Sequence, residues 1–260
     1  MKVNREKAVK AFVNLLDIMD ELRQKCPWDS VQTFDSLRNL TTEEVFELSD
    51  AVFEKDMPNI KKELGDILLH IVFYSKLGEE GKSFDISDVI ESLNQKLIFR
   101  HPHIFGNVKV NSAKDVEENW EKLKLKEKDG NKTVLSGIPK SLPACIKAYR
   151  IQEKVKSFAG EWERKEYMWE KLKEEIDEFS VELENKNQQK MEEEFGDILF
   201  SLINTARQYH IHAEDALEKT NRKMIKRFTY FESQTIGKGL KLEEMTKEEK
   251  EKIWEESKKI

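Results

Sequence analysis

Thr42-Glu43-Glu44-Val45-Phe46-Glu47, followed by Glu63-Leu64-Gly65-Asp66-Ile67-Leu68, is the stretch on which the reading of this 260-residue chain turns. It recurs as Lys173-Glu174-Glu175-Ile176-Asp177-Glu178 and Glu194-Phe195-Gly196-Asp197-Ile198-Leu199. The gap between the two acidic groups is the same in both copies (63 − 47 = 16 and 194 − 178 = 16), and both anchors are displaced equally (175 − 44 = 131 and 197 − 66 = 131). The chain is therefore read as an internal duplication.

Residues three or four apart share one face of a helix, so Glu44 projects with Glu47 and Glu63 with Asp66. Asp56-Met57-Pro58-Asn59 between them is a turn signal with Pro near a helix start, which predicts an antiparallel hairpin. Four carboxylates then converge between two helices in each copy: Glu44, Glu47, Glu63 and Asp66, and again Glu175, Glu178, Glu194 and Asp197. Carboxylates held that close repel one another and resist desolvation unless a cation or basic side chains neutralise them. An all-oxygen donor set favours a hard ion, Mg²⁺ or Mn²⁺. The plainer reading, a solvated helix face, is common in a chain that is 37% charged. Against it, Leu64, Ile67, Leu68, Leu69, Ile71, Val72 and Phe73 surround Asp66, and Leu199, Phe200, Leu202 and Ile203 follow Asp197. A helix apolar on all sides is expected to be buried.

Composition narrows the classes. Ten Gly, five Pro and an excess of Glu and Lys suit an all-α protein, and no strand-like alternation is present. A net charge of −6 opposes a nucleic-acid groove, which needs a basic stripe. Two cysteines, Cys26 and Cys145, make no disulfide framework and point to a reducing cytoplasm. With no apolar run long enough for a signal peptide or membrane span, the expectation is a cytoplasmic protein with no membrane partner.

Taken in order, Ala8, Phe12, Leu15, Leu16, Met19 and Leu22 predict an amphipathic helix over residues 4–24, ended by Cys26-Pro27-Trp28-Asp29, with Trp28 expected as a packing plug. Thr41 or Thr42 is the expected N-cap of the first carboxylate helix. The second is expected over residues 59–77, closed by Gly78. A helix over 85–99 carries Lys96 and Arg100, and the second half answers with Lys223 and Arg227. Like charges four apart make sense beneath a shared anion such as a phosphate chain. His101-Pro102-His103 is read as a helix stop. Trp120 with Lys124, and Trp254 with Lys258, suit a stacked base beside a phosphate; a Trp packed on the core with an exposed Lys is the other reading. The boundaries are residues 1–128 for the first domain, 129–143 for a linker and 144–260 for the second. Gly160-Glu161-Trp162 loosely mirrors Pro27-Trp28-Asp29, and Gly237-Lys238-Gly239 is a turn without Walker spacing.

Cys26-Pro27-Trp28-Asp29, the two carboxylate groups, Arg100-His101-Pro102-His103-Ile104-Phe105 and the tandem copy together resemble MazG, a family of nucleoside triphosphate pyrophosphohydrolases, over nearly the whole chain. The resemblance implies tandem helical bundles in a homodimer, and Mg²⁺-dependent hydrolysis of NTPs and dNTPs to the monophosphate and pyrophosphate with broad base tolerance. It implies metal ligation by Glu175, Glu178, Glu194 and Asp197, and a nucleotide site of Lys190, Lys223, Arg227, Trp254 and Lys258. The first copy supplies Glu44, Glu47, Glu63, Asp66, Lys96, Arg100, Trp120 and Lys124, with Asn59 in place of Lys190. Glu174 and Glu43 are candidates for holding a further ion or for taking the proton of the attacking water. Two rivals belong to other classes: a non-catalytic helical protein that binds nucleotides or a regulatory partner, and a di-iron bundle. The second would need Glu-x-x-His where Asp66 and Asp197 stand.

Overall fold

A computed structural model describes residues 4–124, 133–160 and 165–260, and among these residues it contains α-helices, two short 3₁₀ turns and no strand. The all-α expectation holds. The chain divides into two compact units, Met1–Val108 and Lys109–Ile260.

In the first unit, α1 (Arg5–Lys25) packs on α3 (Met57–Glu80), which pairs with α2 (Phe34–Glu54) and also meets α4 (Ile86–Arg100); a short α5 (Pro102–Phe105) follows. Met19, Leu37, Val72, Phe73 and Leu77 form the buried core, with Phe12, Leu15, Leu16, Leu40 and Tyr74 around it. Each such side chain contributes about 1.5–3 kcal/mol by leaving water. Arg23, at the end of α1, donates to Glu80 on α3 (Nε–Oε1 2.9 Å) and to the Asp29 carbonyl, and its guanidinium lies 5.6 Å from the Phe73 ring centroid. That clamp fixes the 3₁₀ turn Asp29–Val31 to the bundle. Trp28 on this turn is 55% exposed, so it is not the plug expected of it; Arg23 and Phe73 close that end of the core instead.

Helix starts differ from expectation for a local reason. α2 begins eight residues before Thr42, at Phe34, because Thr33 and Ser36 make a reciprocal capping box. Thr41 and Thr42 lie inside the helix, where their hydroxyls donate to the Leu37 and Arg38 carbonyls (2.9 and 3.0 Å). α3 starts at Met57, two residues before the expected Asn59, with Asp56 as its N-cap and Pro58 in its first turn. It runs past Gly78 to Glu80, however, with Gly81 as its cap. Gly78 is buried because Phe84 sits against it. His101 ends α4 by hydrogen-bonding the Leu97 carbonyl through Nδ1 (2.6 Å).

The second unit contains α6 (Ala113–Lys124), α7 (Ala144–Ala159), α8 (Lys165–Asn185), α9 (Gln188–Gln208), α10 (Ala213–Gln234) and α11 (Lys247–Ser257). α8 pairs with α9, α7 and α10 pack on α9, α11 packs on α10, and α6 packs on α7. Met168, Leu172 and Ile203 are its buried apolar residues, and Gln152 Nε2 donates to the Phe200 carbonyl (2.8 Å), tying α7 to α9. Residues 125–128 at the end of the expected first domain, Asp129-Gly130-Asn131 of the linker, and Glu161 and Trp162 of the mirrored turn lie outside the described residues.

The duplication extends to the backbone. α2 and α8 end 131 residues apart (185 − 54), and α3 and α9 begin 131 apart (188 − 57). The bends between them also match: Lys55 and Lys186 have left-handed φ of 58° and 54°, and Asp56 and Asn187 each cap the next helix through a side-chain oxygen. The all-round burial expected of α3 and α9 is not found. Leu64, Leu68 and Ile71 are 52%, 38% and 42% exposed, and Leu199 and Leu202 are 43% and 46% exposed, because a single chain covers only one side of each hairpin.

A Cβ on residue 78 would lie 2.7 Å from the Phe84 carbonyl oxygen. Gly78→Ala is therefore expected to cost the first unit about 1–3 kcal/mol, read as a lower denaturation midpoint with the second unit's transition unmoved.

Candidate metal and nucleotide site

In the first unit, α2 presents Glu44 and α3 presents Glu63 and Asp66, and one carboxylate oxygen from each lies within 4.8 Å of the others. Glu63 is 1% exposed, and its Oε2 is buried without a hydrogen-bond partner. A buried ionised oxygen with no donor is costly. Beside two further carboxylates, it is an oxygen suited to a divalent cation. Glu47 is exposed and outside the close trio but contributes to the same field: the Glu44 carboxyl is pushed up by burial and then by the charges of Asp66, Glu47 and Glu63. Glu43 is exposed on the preceding position.

The second unit repeats the arrangement with Glu175, Glu194 and Asp197, again within 4.8 Å of one another. Glu175 is 7% exposed. Glu178 is pushed up by loss of solvation and by the charge of Glu175, with Glu174 and Glu194 adding to it. The oxygen-only donor sets fit a hard ion such as Mg²⁺ or Mn²⁺ in both units.

Two lysines that the spacing analysis passed over lie in these clusters. Lys62 Nζ is 2.9 Å from Glu63, 3.6 Å from Asp66 and 3.8 Å from Glu47. Lys171 Nζ is 3.1 Å from Glu175 and 3.2 Å from Glu174. Both ammonium groups are held more strongly protonated than usual, first of all by their hydrogen bonds to Glu63 and Glu175 respectively. The signal was available in sequence, since Lys62–Asp66 and Lys171–Glu175 are i,i+4 pairs. A second missed feature adjoins the first trio. The Thr41 hydroxyl meets His70 Nδ1 (2.9 Å) and the Tyr74 hydroxyl (2.7 Å), and burial pushes the His70 imidazole down against the opposing charge of Asp66. The second copy has Leu172, Ser201 and Thr205 at those positions (131 residues on).

Of the basic and aromatic candidates, Lys223 and Arg227 lie on α10, exposed and half-buried. Lys96 and Arg100 repeat that pattern on α4. α11, carrying Trp254 and Lys258, is fastened to α10: Lys226 Nζ donates to the Ile260 carbonyl (2.8 Å) and the Tyr230 hydroxyl to Glu256 (3.4 Å). Trp254 is half-buried, and Lys258 pairs with Glu255. Lys190 pairs with Glu182 at 3.4 Å, at the bend end of the hairpin, rather than with the trio. Trp120 and Lys124 are half-buried on α6, which packs on α7 within the second compact unit.

Comparison with known proteins bears on the same segments. The MazG nucleotide pyrophosphohydrolase domain matches twice, over residues 32–105 and 163–230. A Thermotoga maritima protein described as nucleoside triphosphate pyrophosphohydrolase/pyrophosphatase MazG is 40% identical over 250 residues, covering 95% of both chains. The Escherichia coli K12 nucleoside triphosphate pyrophosphohydrolase is 36% identical over 94% of this chain and 95% of its own length. YabN of Bacillus subtilis is 41% identical over 95% of this chain but 51% of its own length.

The raised Glu44 carboxyl has a signed consequence. Folded Glu44 keeps its proton at a pH where the unfolded chain has lost it, so this group's contribution to stability is present in acid and is lost as pH rises through the folded value. In EDTA, Glu44→Gln is expected to raise the denaturation midpoint at pH 7, and the gain is expected to vanish as the pH is lowered into the ordinary glutamate range.

Proposed function

This chain belongs to the MazG nucleotide pyrophosphohydrolase family, and on that premise we propose that it hydrolyses nucleoside triphosphates to the monophosphate and pyrophosphate with a divalent ion, Mg²⁺ by preference and Mn²⁺ as a substitute. The observation that carries the reading is the duplicated acidic trio, with a buried and unpartnered Glu63 oxygen in one copy and a buried Glu175 in the other. Glu175, Glu178, Glu194 and Asp197 hold the ion in the second unit, and Glu44, Glu47, Glu63 and Asp66 in the first.

An ion held there supplies charge that binds phosphate oxygens, acidifies the attacking water and stabilises the leaving pyrophosphate. The chain's own groups do the rest. Glu174, or Glu43 in the first unit, accepts the proton of the water that adds to the α-phosphorus as the bond to the bridging oxygen breaks. Lys223 and Arg227 neutralise the phosphate chain, with Lys190 and Lys258 adding charge and Trp254 offering a face to the base; Lys96, Arg100, Trp120 and Lys124 are the first-copy counterparts. Stacking reads every base alike, which supports broad tolerance for NTPs and dNTPs and a role in nucleotide-pool housekeeping or stress-response control. We assign residues 1–128 and 144–260 as the two repeats, joined by 129–143.

The partner in solution is a second copy of the chain. The outward apolar rows on both hairpins, Phe46, Leu64 and Ile71 on one and Phe195, Leu199 and Leu202 on the other, are what a homodimer would cover. No helix among the described residues is long and apolar enough to cross a membrane. The free Cys26 and Cys145 support a cytoplasmic setting, and the acidic net charge supports the absence of a nucleic-acid partner.

Glu175→Gln and Glu44→Gln together are expected to lower pyrophosphate release from dATP with Mg²⁺ by at least about a hundredfold. Wild-type rates in that double variant would end the reading; Glu175→Gln, Glu194→Gln, Glu44→Gln and Glu63→Gln, assayed singly, measure each unit's share. Light scattering is expected to give twice the 30.7 kDa chain mass, and Leu199→Asp with Leu64→Asp to shift it toward one chain.

A further inference from the structure

The two copies differ at a point where charge matters. Asn59 stands in the first where Lys190 stands in the second (190 − 59 = 131), and Lys62 stands where the second has Glu193 (193 − 62 = 131). Asn59 and Lys62 are three apart on α3 and share a face, so the first unit carries its lysine one turn nearer to the carboxylates. That turn decides what the ammonium reaches. Lys190 Nζ is engaged with Glu182 at 3.4 Å, whereas Lys62 Nζ lies within 4 Å of three of the four acids assigned to the ion: Glu63 at 2.9 Å, Asp66 at 3.6 Å and Glu47 at 3.8 Å.

Lys62 is held there by its hydrogen bond to Glu63 and by the charges of Asp66 and Glu47. Its side chain is 61% exposed, while that of Glu63, its nearest partner, is 2% exposed. A divalent ion on the same carboxylates neutralises them and repels the ammonium. If the ion arrives with a triphosphate, the nearest remaining anions are phosphate oxygens, and a flexible four-carbon stem can follow them. Resting on that reading of the site, we propose that Lys62 is a substrate-binding residue of the first unit, passing from Glu47, Glu63 and Asp66 to the phosphate chain of an incoming metal–nucleotide and taking the part that Lys190 plays in the second unit.

The signature is a pair of effects in opposite directions. Losing a phosphate ligand weakens nucleotide binding, and losing a competing cation does not weaken ion binding. The test uses the full chain carrying Glu175→Gln and Glu194→Gln, so that calorimetry reports the first unit, titrated with Mn²⁺ alone and then, at saturating Mn²⁺, with the α,β-methylene analogue of dATP. Adding Lys62→Met is expected to weaken the analogue about tenfold and to leave Mn²⁺ binding as tight or tighter, with Lys62→Arg restoring most of the loss. Unchanged affinity for the analogue, or a parallel fall for Mn²⁺ and analogue, overturns the assignment. An analogue that fails to bind the parent while Mn²⁺ binds also overturns it and leaves second-unit hydrolysis standing. A parent that binds neither removes the first-unit metal site as well.

Discussion

Mutual repulsion among acidic side chains is the constraint around which this protein is built. Three carboxylate oxygens within 4.8 Å, one of them on a residue 1% exposed, cannot persist between two helices without positive charge close by. In the folded chain Lys62 and Lys171 meet part of that need, from different positions in the two copies. The rest is left for a ligand. The hairpins that bring the acids together, α2 with α3 and α8 with α9, are the most extensively paired elements of their units, and the helices around them brace those pairs.

Much of this was legible in the sequence because it is periodic. The 131-residue displacement, the hairpin turn at Asp56-Met57-Pro58 and the face shared by Glu63 and Asp66 need only helical geometry, and the structure follows them. What was not legible depends on competition between equivalent signals. Thr41 and Thr42 read as caps because they precede the acidic run, whereas the reciprocal bonds of Thr33 with Ser36 start the helix upstream of both. Gly78 has the composition of a helix terminator but is small because Phe84 lies on it, a tertiary fact. Trp28 reads as a core residue by size, yet the Arg23 clamp leaves it facing out. In a chain with 45 Lys and Arg, Lys62 does not stand out until distances single it out.

The two units are copies in backbone more than in surroundings. Beneath the first trio lies a hydrogen-bonded set, Thr41, His70 and Tyr74, which Leu172, Ser201 and Thr205 replace in the second. The first unit thus places a polar network one helical turn from Asp66, while the second places an apolar residue and two small hydroxyls at those positions. Identical acids therefore sit on differently polarisable foundations, which gives a duplicated chain a way to let its halves diverge without altering the acidic trio.

The bends carry one more implication. Lys55 and Lys186 hold left-handed backbone at the same place in each repeat, a conformation that costs a side chain with a Cβ about 1–2 kcal/mol relative to glycine. The left-handed residue ends the first helix of each pair, and the following Asp56 or Asn187 caps the second, so each bend uses the backbone of the lysine and not its side chain. For protein engineering these are two matched sites where glycine could harden the fold against heat while staying clear of the chemistry, a route to a sturdier biocatalyst by relaxing its corners instead of refilling its interior.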